Sequence, residues 1–152
     1  MILYRLGRRK HARKLDGVGA KMYPGRWNTL DTPMIYCGNN RSLCAMEVLV
    51  HINEPPDDYA MTTLFVPDDV SVRTPGLRHL PQAWNSDDYN APTRALGDAF
   101  ISSGQHLMLC VPSAVVKDDL NYLLNPLHPD IRRVKVLAVV SFRFDPRLFK
   151  KG

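Results

Sequence analysis

The chain of 152 residues is long enough to bury one hydrophobic core without disulfides or structural metals, and we expect a single domain over residues 1–152. Its hydrophobic content of 45% and charged content of 23% are ordinary for a globular protein and exclude an intrinsically disordered chain. No apolar run reaches the roughly 18 residues that a membrane-spanning helix needs, so we expect no membrane association.

The amino terminus and the cysteines predict a cytoplasmic protein. Residues 1–5 lack the charged-then-apolar order of a secretory signal peptide. Cys37, Cys44 and Cys110 are odd in number and show no C-x-x-C pairing. They are typical of small core residues in a reducing compartment. The five histidines are scattered without metal-ligand spacing, so no metal site is expected.

Positive charge is concentrated near the amino terminus. The first 26 residues contain eight lysines and arginines against one acidic residue, whereas the rest of the chain is slightly acidic. Such a segment suits nucleic acid, an anionic ligand or an acidic partner protein. No zinc-ligand spacing, RNP-like aromatic run or helix-turn-helix accompanies it. A solvated basic loop over residues 8–14 is therefore favoured over direct nucleic-acid binding.

Scattered strands and few helices predict an α+β fold. Alternating or β-rich runs predict strands at residues 2–6, 34–37, 59–66, 70–73, 106–111 and 134–144. Cap residues and apolar periodicity predict helices at residues 41–52 and 93–103. The remaining long stretches are predicted to be irregular connections: residues 7–25, 74–92 and 117–133. A loop as long as the first of these is usually functional.

Glu47 is the polar residue that the predicted helix at 41–52 has most difficulty accommodating. One face of the helix carries Leu43, Met46, Glu47 and Val50, which are spaced at i, i+3, i+4 and i+7. Apolar neighbours on the other sides predict a helix buried nearly all round. A buried carboxylate is costly unless it has an arginine, hydrogen-bond donors or a polar cleft. The pattern slightly favours a structural ion pair and leaves a functional carboxylate open.

Arg26, Tyr36 and Ser113 each have a structural and a functional interpretation. Arg26 follows a Pro-Gly turn, where a guanidinium suits a clamp on backbone carbonyls of its loop or bidentate capture of a phosphate or carboxylate. Tyr36 faces away from its strand neighbours and is expected to be a half-buried core residue. Ser113 follows a predicted strand and is expected in a turn, because no G-x-S-x-G nucleophile elbow is present.

Six short motifs follow one another along essentially the whole chain. They are LYR at residues 3–5, GRWN around Arg26, P-x-x-Y ending at Tyr36, AMEVLVH around Glu47, VPSAVV around Ser113 and NYLLNPLHP at residues 121–129. In this order the set resembles the RES-domain toxins of bacterial toxin–antitoxin pairs, which are named for an arginine, a glutamate and a serine. The sequence departs from the family pattern at Pro24, where a small residue often precedes the glycine, and this leaves the match of Arg26 intact.

The resemblance implies an ADP-ribosyltransferase-like fold, with a mixed or antiparallel β core, few flanking helices and a cleft for NAD. Members of the family degrade NAD by hydrolysis or phosphorolysis of the nicotinamide–ribose bond, which depletes the host pool and arrests growth. Carried over to this sequence, the catalytic residues are Glu47, Arg26 and Tyr36. The NAD-binding residues are Arg26, Tyr36, Ser113 and, as a weaker candidate, Arg5. NAD is the substrate, and no metal is implied.

The chemistry of these residue types is compatible with the implied reaction. Cleavage of the nicotinamide–ribose bond passes through an oxocarbenium-like state, as in glycoside hydrolysis. A carboxylate such as Glu47 stabilises that positive charge. Arg26 suits the pyrophosphate, and Tyr36 suits stacking on the nicotinamide or ribose. Ser113 is expected to bind the ligand or to orient Glu47.

The resemblance also implies a partner. A cognate antitoxin of the Xre type covers the active site, a homodimer of the toxin is expected in the complex, and DNA is bound only through the antitoxin. Two alternatives stay open. The same NAD site suits a transferase that passes ADP-ribose to a protein, because the sequence does not separate water from a protein acceptor. The basic amino-terminal segment alone suggests a non-enzymatic toxin directed at nucleic acid or the ribosome.

Overall fold

A seven-stranded sheet is the centre of the fold in a computed structural model that describes residues 1–87 and 91–150. Within these residues the strands are β1 (Ile2–Arg8), β2 (Ile35–Gly38), β3 (Tyr59–Phe65), β4 (Val72–Arg73), β5 (Met108–Pro112), β6 (Leu120–Leu124) and β7 (Lys135–Ser141). The helices are α1 (Val18–Met22), α2 (Arg41–Leu49) and α3 (Ala91–Ser103). Short 3-10 turns lie at Arg9–His11, Leu77–His79, Pro129–Arg133 and Pro146–Phe149.

The sheet is mixed, with the strand order β4-β5-β6-β2-β1-β3-β7. Neighbouring strands pair antiparallel, except for the short parallel pair of β4 and β5. Helices and strands do not alternate as in a parallel βαβ fold, so the predicted α+β class is confirmed. No helix in the described ranges is long and apolar enough to cross a membrane.

Alternate side chains along the strands pack into two different hydrophobic clusters. In β2, Ile35 and Cys37 belong to one cluster, whereas Tyr36 packs against the other. In β6, Leu124 joins the first cluster and Leu123 joins the second. Successive strand residues point to opposite faces, so the two clusters lie on the two sides of the sheet. The second cluster is the one that includes residues of α3.

Strand β6 lies within the stretch 117–133, which was predicted to be an irregular connection, and that prediction was wrong. Leu124 pairs with Ile35 of β2 and with Met108 of β5, so β6 has a strand on each side. The strand contains three leucines, an asparagine and a tyrosine, and no β-branched residue. Only Tyr122 clearly favours a strand, so local β propensity is modest, and pairing with two neighbours stabilises this strand.

Helix α2 packs on the sheet through one side only. Asn40 caps it by accepting a hydrogen bond of 2.7 Å from the backbone N–H of Leu43. Leu43 and Cys44 are buried, but Met46 and Val50 are 40% and 54% exposed. The prediction of a helix buried nearly all round was wrong, because Met46 and Val50 are exposed while Ala45, Val48 and Leu49 are only partly buried.

Helix α3 packs directly against the turn that contains Trp27. A Cβ atom added to Gly97 would lie 1.7 Å from the Trp27 carbonyl oxygen, which is far inside the contact distance. On the same helix face, Arg94 Nε donates to the Gly25 carbonyl at 3.2 Å. Asp98 accepts hydrogen bonds from the backbone and side chain of Thr29. One face of α3 therefore fixes the segment 25–29.

Gly97→Ala is expected to destabilise the protein by about 3 kcal/mol, because the helix or the turn must move to admit the methyl group. Gly19→Ala is the matched control, since a Cβ at Gly19 meets nothing within 4 Å. The control should change the free energy of unfolding by less than about 0.5 kcal/mol. Urea unfolding followed by circular dichroism measures both values. Equal stability of the two variants would contradict the close contact of α3 with Trp27.

Candidate active site

A cleft of about 940 Å³ opens beside α2 and brings together parts of the chain that are distant in sequence. Its walls come from the turn before β2, from α2, from β6 and from residues of the segment between β4 and α3. The polar lining residues include Arg26, Tyr36, Glu47, His51, Asn85, Asp87 and Asn121. Arg26, Tyr36 and Glu47, which the sequence singled out, therefore share one cleft.

Two neutral donors hold the Glu47 carboxylate. The Ser113 hydroxyl donates to Glu47 Oε1 at 2.7 Å, and Asn121 Nδ2 donates to the same oxygen. Neutral donors, and not an arginine, thus supply the partners that a carboxylate on this helix requires. Within the described part of the chain, no hydrogen bond reaches Oε2. Glu47 lines the cleft, and its second oxygen keeps its capacity to accept hydrogen bonds.

Ser113 is both a turn residue and a partner of Glu47. Its side chain is buried, and its Oγ accepts hydrogen bonds from the backbone N–H groups of Val115 at 3.0 Å and Val116 at 2.9 Å. A hydroxyl has one proton and two lone pairs. The two backbone donors occupy the lone pairs, so the proton is directed at the carboxylate. In this geometry Ser113 supports the Glu47 carboxylate through a hydrogen bond.

Arg26 clamps a loop, although not its own. Its NH1 group donates to the carbonyl oxygens of Trp84 at 2.7 Å and Ser86 at 2.8 Å. Both carbonyls belong to the segment between β4 and α3. The guanidinium therefore ties that segment to the turn before β2 and places its positive charge at the wall of the cleft.

Two residues of the stretch 74–92, which was predicted to be an irregular connection, line one wall of the cleft: Asn85 and Asp87. Residues 88–90 of that stretch lie outside the described residues. The ring of Trp84 stacks on that of Trp27, with centroids 6.4 Å apart and planes inclined by 28°. Ring stacking and the arginine clamp together hold this wall in place.

The Tyr36 hydroxyl is engaged within the protein. It donates to Asn28 Oδ1 at 2.7 Å and accepts from the backbone N–H of Trp27 at 3.1 Å. A Cβ at Gly25 would lie 2.7 Å from this hydroxyl oxygen, so glycine is required for the turn to approach the tyrosine. The half-buried ring lines the cleft. Tyr36 therefore presents its ring, and not its hydroxyl, to the cleft.

Asn28 is a structural residue that sequence reasoning missed. It is fully buried, and its Oδ1 accepts hydrogen bonds from the Tyr36 hydroxyl and from the backbone N–H of Gly25. Its Nδ2 donates to the carbonyls of Ala20, Thr29 and Thr32. Every polar atom of the amide is used. The only signal in the sequence was its position in the GRWN motif, directly after the tryptophan.

Arg5 does not line the cleft and instead organises the basic amino-terminal loop. Its guanidinium donates to the carbonyls of His11, Ala12 and Lys14 at 2.8 to 3.0 Å. Burial lowers the pKa of Arg5 from its ordinary value, while the nearby Asp16 carboxylate acts in the opposite direction. An arginine remains charged despite such a shift. The loop therefore turns its carbonyls inward, with exposed cationic side chains around them.

The three cysteines are buried free thiols. Burial raises the pKa of Cys37 to about 12 and that of Cys44 to about 11. Burial also raises the pKa of Cys110. The residues described by the structure contain no group of three or more potential ligands that could hold a metal ion.

The profile of the RES domain matches residues 2–145, which is nearly the whole chain. The chain belongs to the RES-domain family. This RES domain is similar to the Prs ADP-ribosylating toxin of Sphingobium sp. (strain YBL2), with 33% identity over 144 residues that cover 91% of this chain and 88% of the relative. The resemblance to RES-domain toxins is thus confirmed.

Two further relatives extend the similarity over almost the full length of the RES domain. Toxin Res of Photorhabdus laumondii is 32% identical over 154 residues, covering 99% of this chain and 98% of the relative. Toxin Res of Yersinia enterocolitica is 34% identical over 152 residues, covering 97% and 99%. These relationships support a toxin of a toxin–antitoxin system as the general function.

A solved structure confirms the fold. A chain in the crystal structure of the M. tuberculosis MbcT–MbcA toxin–antitoxin complex matches this one with a TM-score of 0.66. The match covers 97% of this chain and 86% of that chain at 20% sequence identity. The arrangement of strands and helices is therefore shared with that protein at low sequence identity.

The native thiols are expected to resist alkylation at about pH 8, because the thiolate is the reactive form. A raised pKa keeps a thiol protonated, so labelling of the folded protein should accelerate only as the pH approaches the values of about 11 and about 12 for Cys44 and Cys37. Mass spectrometry after iodoacetamide treatment should find no adduct on native protein and adducts on all three cysteines in denaturant. Rapid labelling of folded protein at neutral pH would contradict this burial.

Proposed function

We propose that this RES domain is an NAD-consuming toxin that cleaves the nicotinamide–ribose bond. The observation that carries the proposal is the Glu47 carboxylate, held at the cleft wall through Oε1 with Oε2 left for a ligand. Membership of the RES-domain family supports NAD as the substrate. The cleft of about 940 Å³ lies at the upper end of the range usual for small-molecule sites, which suits a dinucleotide.

The reaction breaks the bond between ribose C1′ and the nicotinamide nitrogen. The electron pair of that bond leaves with nicotinamide as a neutral molecule, so the leaving group needs no strong general acid. Positive charge develops on the ribose, as in glycoside cleavage. Glu47 stabilises this charge, or binds the ribose hydroxyls, through Oε2. Water or phosphate then adds to C1′ and loses a proton to solvent.

Arg26 and Tyr36 bind the rest of the dinucleotide in this proposal. The positive charge of Arg26 at the cleft wall attracts the pyrophosphate. The ring of Tyr36 offers a stacking surface for the nicotinamide or ribose, since its hydroxyl is already bonded to Asn28. Ser113 acts through Glu47 and does not bind NAD directly. Arg5 has a structural role in the amino-terminal loop and lies outside this set.

An antitoxin that covers the cleft is the proposed partner. The matched solved structure is that of a toxin–antitoxin complex. The cleft rim also carries exposed apolar side chains, among them Tyr23 at 77% and Val50 at 54% exposure, which suit a protein partner. In this proposal the antitoxin is of the Xre type and the toxin forms a homodimer in the complex. DNA is contacted only through the antitoxin. The cytoplasm, where NAD is available, is the proposed location.

The antitoxin proposal predicts that the product of a neighbouring Xre-type reading frame binds the purified toxin. NAD cleavage should fall as this partner is added, because the partner closes the cleft. Calorimetric titration and the nicotinamide release rate measure the two effects. Binding without inhibition would place the antitoxin away from the cleft.

Protein ADP-ribosylation is the second candidate function. The relative named Prs ADP-ribosylating toxin favours it. The same Glu47 geometry serves both reactions, because only the group that adds to C1′ differs. With labelled NAD, transfer of the label to an acceptor protein would favour this candidate, whereas free ADP-ribose or its phosphate ester would favour NAD consumption.

Glu47→Gln is expected to lower kcat for nicotinamide release by about 100-fold or more, because a neutral amide stabilises the oxocarbenium charge poorly. Glu54→Gln is the matched control, since Glu54 is the other glutamate of the chain and is exposed beyond α2. The control should retain wild-type activity. Chromatography of nicotinamide and ADP-ribose, with and without phosphate, provides the rates. If the wild-type protein leaves NAD intact both with and without phosphate, the enzyme proposal is wrong, and a non-enzymatic toxin is then favoured.

A further inference from the structure

We propose that Asn121 is a positioning residue for the reaction, which orients the Glu47 carboxylate from inside the cleft. The inference rests on the proposed NAD cleavage and adds a residue to its machinery. Asn121 Nδ2 donates to Glu47 Oε1, and a carboxylate can only accept, so the contact fixes the amide orientation. No other side chain of β6 reaches Glu47 among the described hydrogen bonds.

The backbone of Asn121 is held on both sides. It pairs with Gly38 of β2 on one side and with Val111 of β5 on the other. A strand between two neighbours is among the most rigid parts of a fold. Asn121 therefore presents its amide to α2 from a fixed platform, which is what a positioning contact requires.

Asn121 and Ser113 hold the same oxygen from different environments. The Ser113 side chain is buried, and its hydroxyl is fixed by two backbone donors. Asn121 is partly exposed and lines the cleft. Two donors on Oε1 fix the rotation of the carboxylate better than one. Asn121 therefore sets the direction of Glu47 Oε2 from the side on which the ligand binds.

Replacing the Asn121 amide by a carboxylate tests this contact through the pH dependence of activity. The titratable and charged groups that line the cleft with Glu47 are Tyr23, Arg26, Tyr36, Cys37, Cys44, His51 and Asp87. Asn121→Asp adds a negative charge in direct contact with Glu47, where two carboxylates cannot both ionise without repulsion. When the pair shares one proton, a donated O–H replaces the lost N–H.

Asn121→Asp is therefore expected to be nearly inactive at about pH 8 and to recover relative to wild type as the pH falls to about 5. Asn53→Asp is the matched control, because it makes the same charge change at an exposed residue after α2. The control should follow the wild-type pH profile. A residue that only supports the fold would not give an activity that rises with acid. A ratio of variant to wild-type activity that does not change between about pH 8 and about pH 5 would overturn the inference.

Asn121→Ala tests the same contact without added charge. Loss of one charge-assisted hydrogen bond should lower kcat by about tenfold to a hundredfold. KM should change by less than about threefold if Glu47 acts mainly on the charge of the transition state, because that interaction is weak in the bound substrate. Thermal unfolding verifies that the variant is folded, and Asn121→Ser provides a second variant with a small donor. Unchanged kcat in a protein that cleaves NAD would overturn the inference and leave the proposed function standing.

A spectroscopic measurement keeps the two proposals separable. The chain has only two glutamates, so carbon-13 labelling of glutamate carboxyls gives two side-chain resonances, which Glu47→Gln assigns. Asn121→Ala should move the Glu47 resonance and leave the Glu54 resonance in place. This measurement needs no NAD. A stationary Glu47 resonance would overturn the inference, whereas wild-type protein that leaves NAD intact would overturn the proposed function and, with it, the role of Asn121 in the reaction.

Discussion

The site depends on the need of one carboxylate for hydrogen-bond donors. Glu47 projects from α2, and its Oε1 receives donors from Ser113, just after β5, and from Asn121 on β6. These contacts exist because β5 and β6 are neighbours and β6 lies beside β2, the strand that leads into α2. A charged group that is poorly accommodated on an apolar helix thus ties the helix to the centre of the sheet.

A second wall of the cleft follows from another constraint, the close packing of the turn before β2. Gly97 lets α3 approach the Trp27 carbonyl, and the buried amide of Asn28 holds the turn from within. With this turn fixed, the guanidinium of Arg26 and the ring of Tyr36 have defined positions at the cleft. The two walls are therefore built by different physical means. Hydrogen bonds to a carboxylate fix the Glu47 wall, and steric fit with a satisfied buried amide fixes the wall formed by the turn.

Sequence periodicity located most of the elements because burial of alternate or helical faces leaves a local pattern. It failed for β6, in which only Tyr122 clearly favours a strand and whose partner β2 is distant in sequence. Chemistry and motif order singled out Glu47 and Arg26. Asn28 and Asn121 were missed because an asparagine has no distinctive pattern, and its role depends on which groups the fold brings to its amide. The exposed stripe of α2 was missed because composition does not tell which side of a helix is covered.

In the proposed function, the clamp formed by Arg26 couples ligand binding to the shape of the site. Its guanidinium holds the carbonyls of Trp84 and Ser86, and in the proposed function it also attracts the ligand's pyrophosphate. The two carbonyl oxygens and the phosphate oxygens then interact with the same guanidinium. The free energy of ligand binding is therefore linked to the free energy of holding the segment around Trp84. By thermodynamic reciprocity, whatever stabilises the segment around Trp84 alters affinity for the anion, and the anion alters the stability of that segment to the same extent.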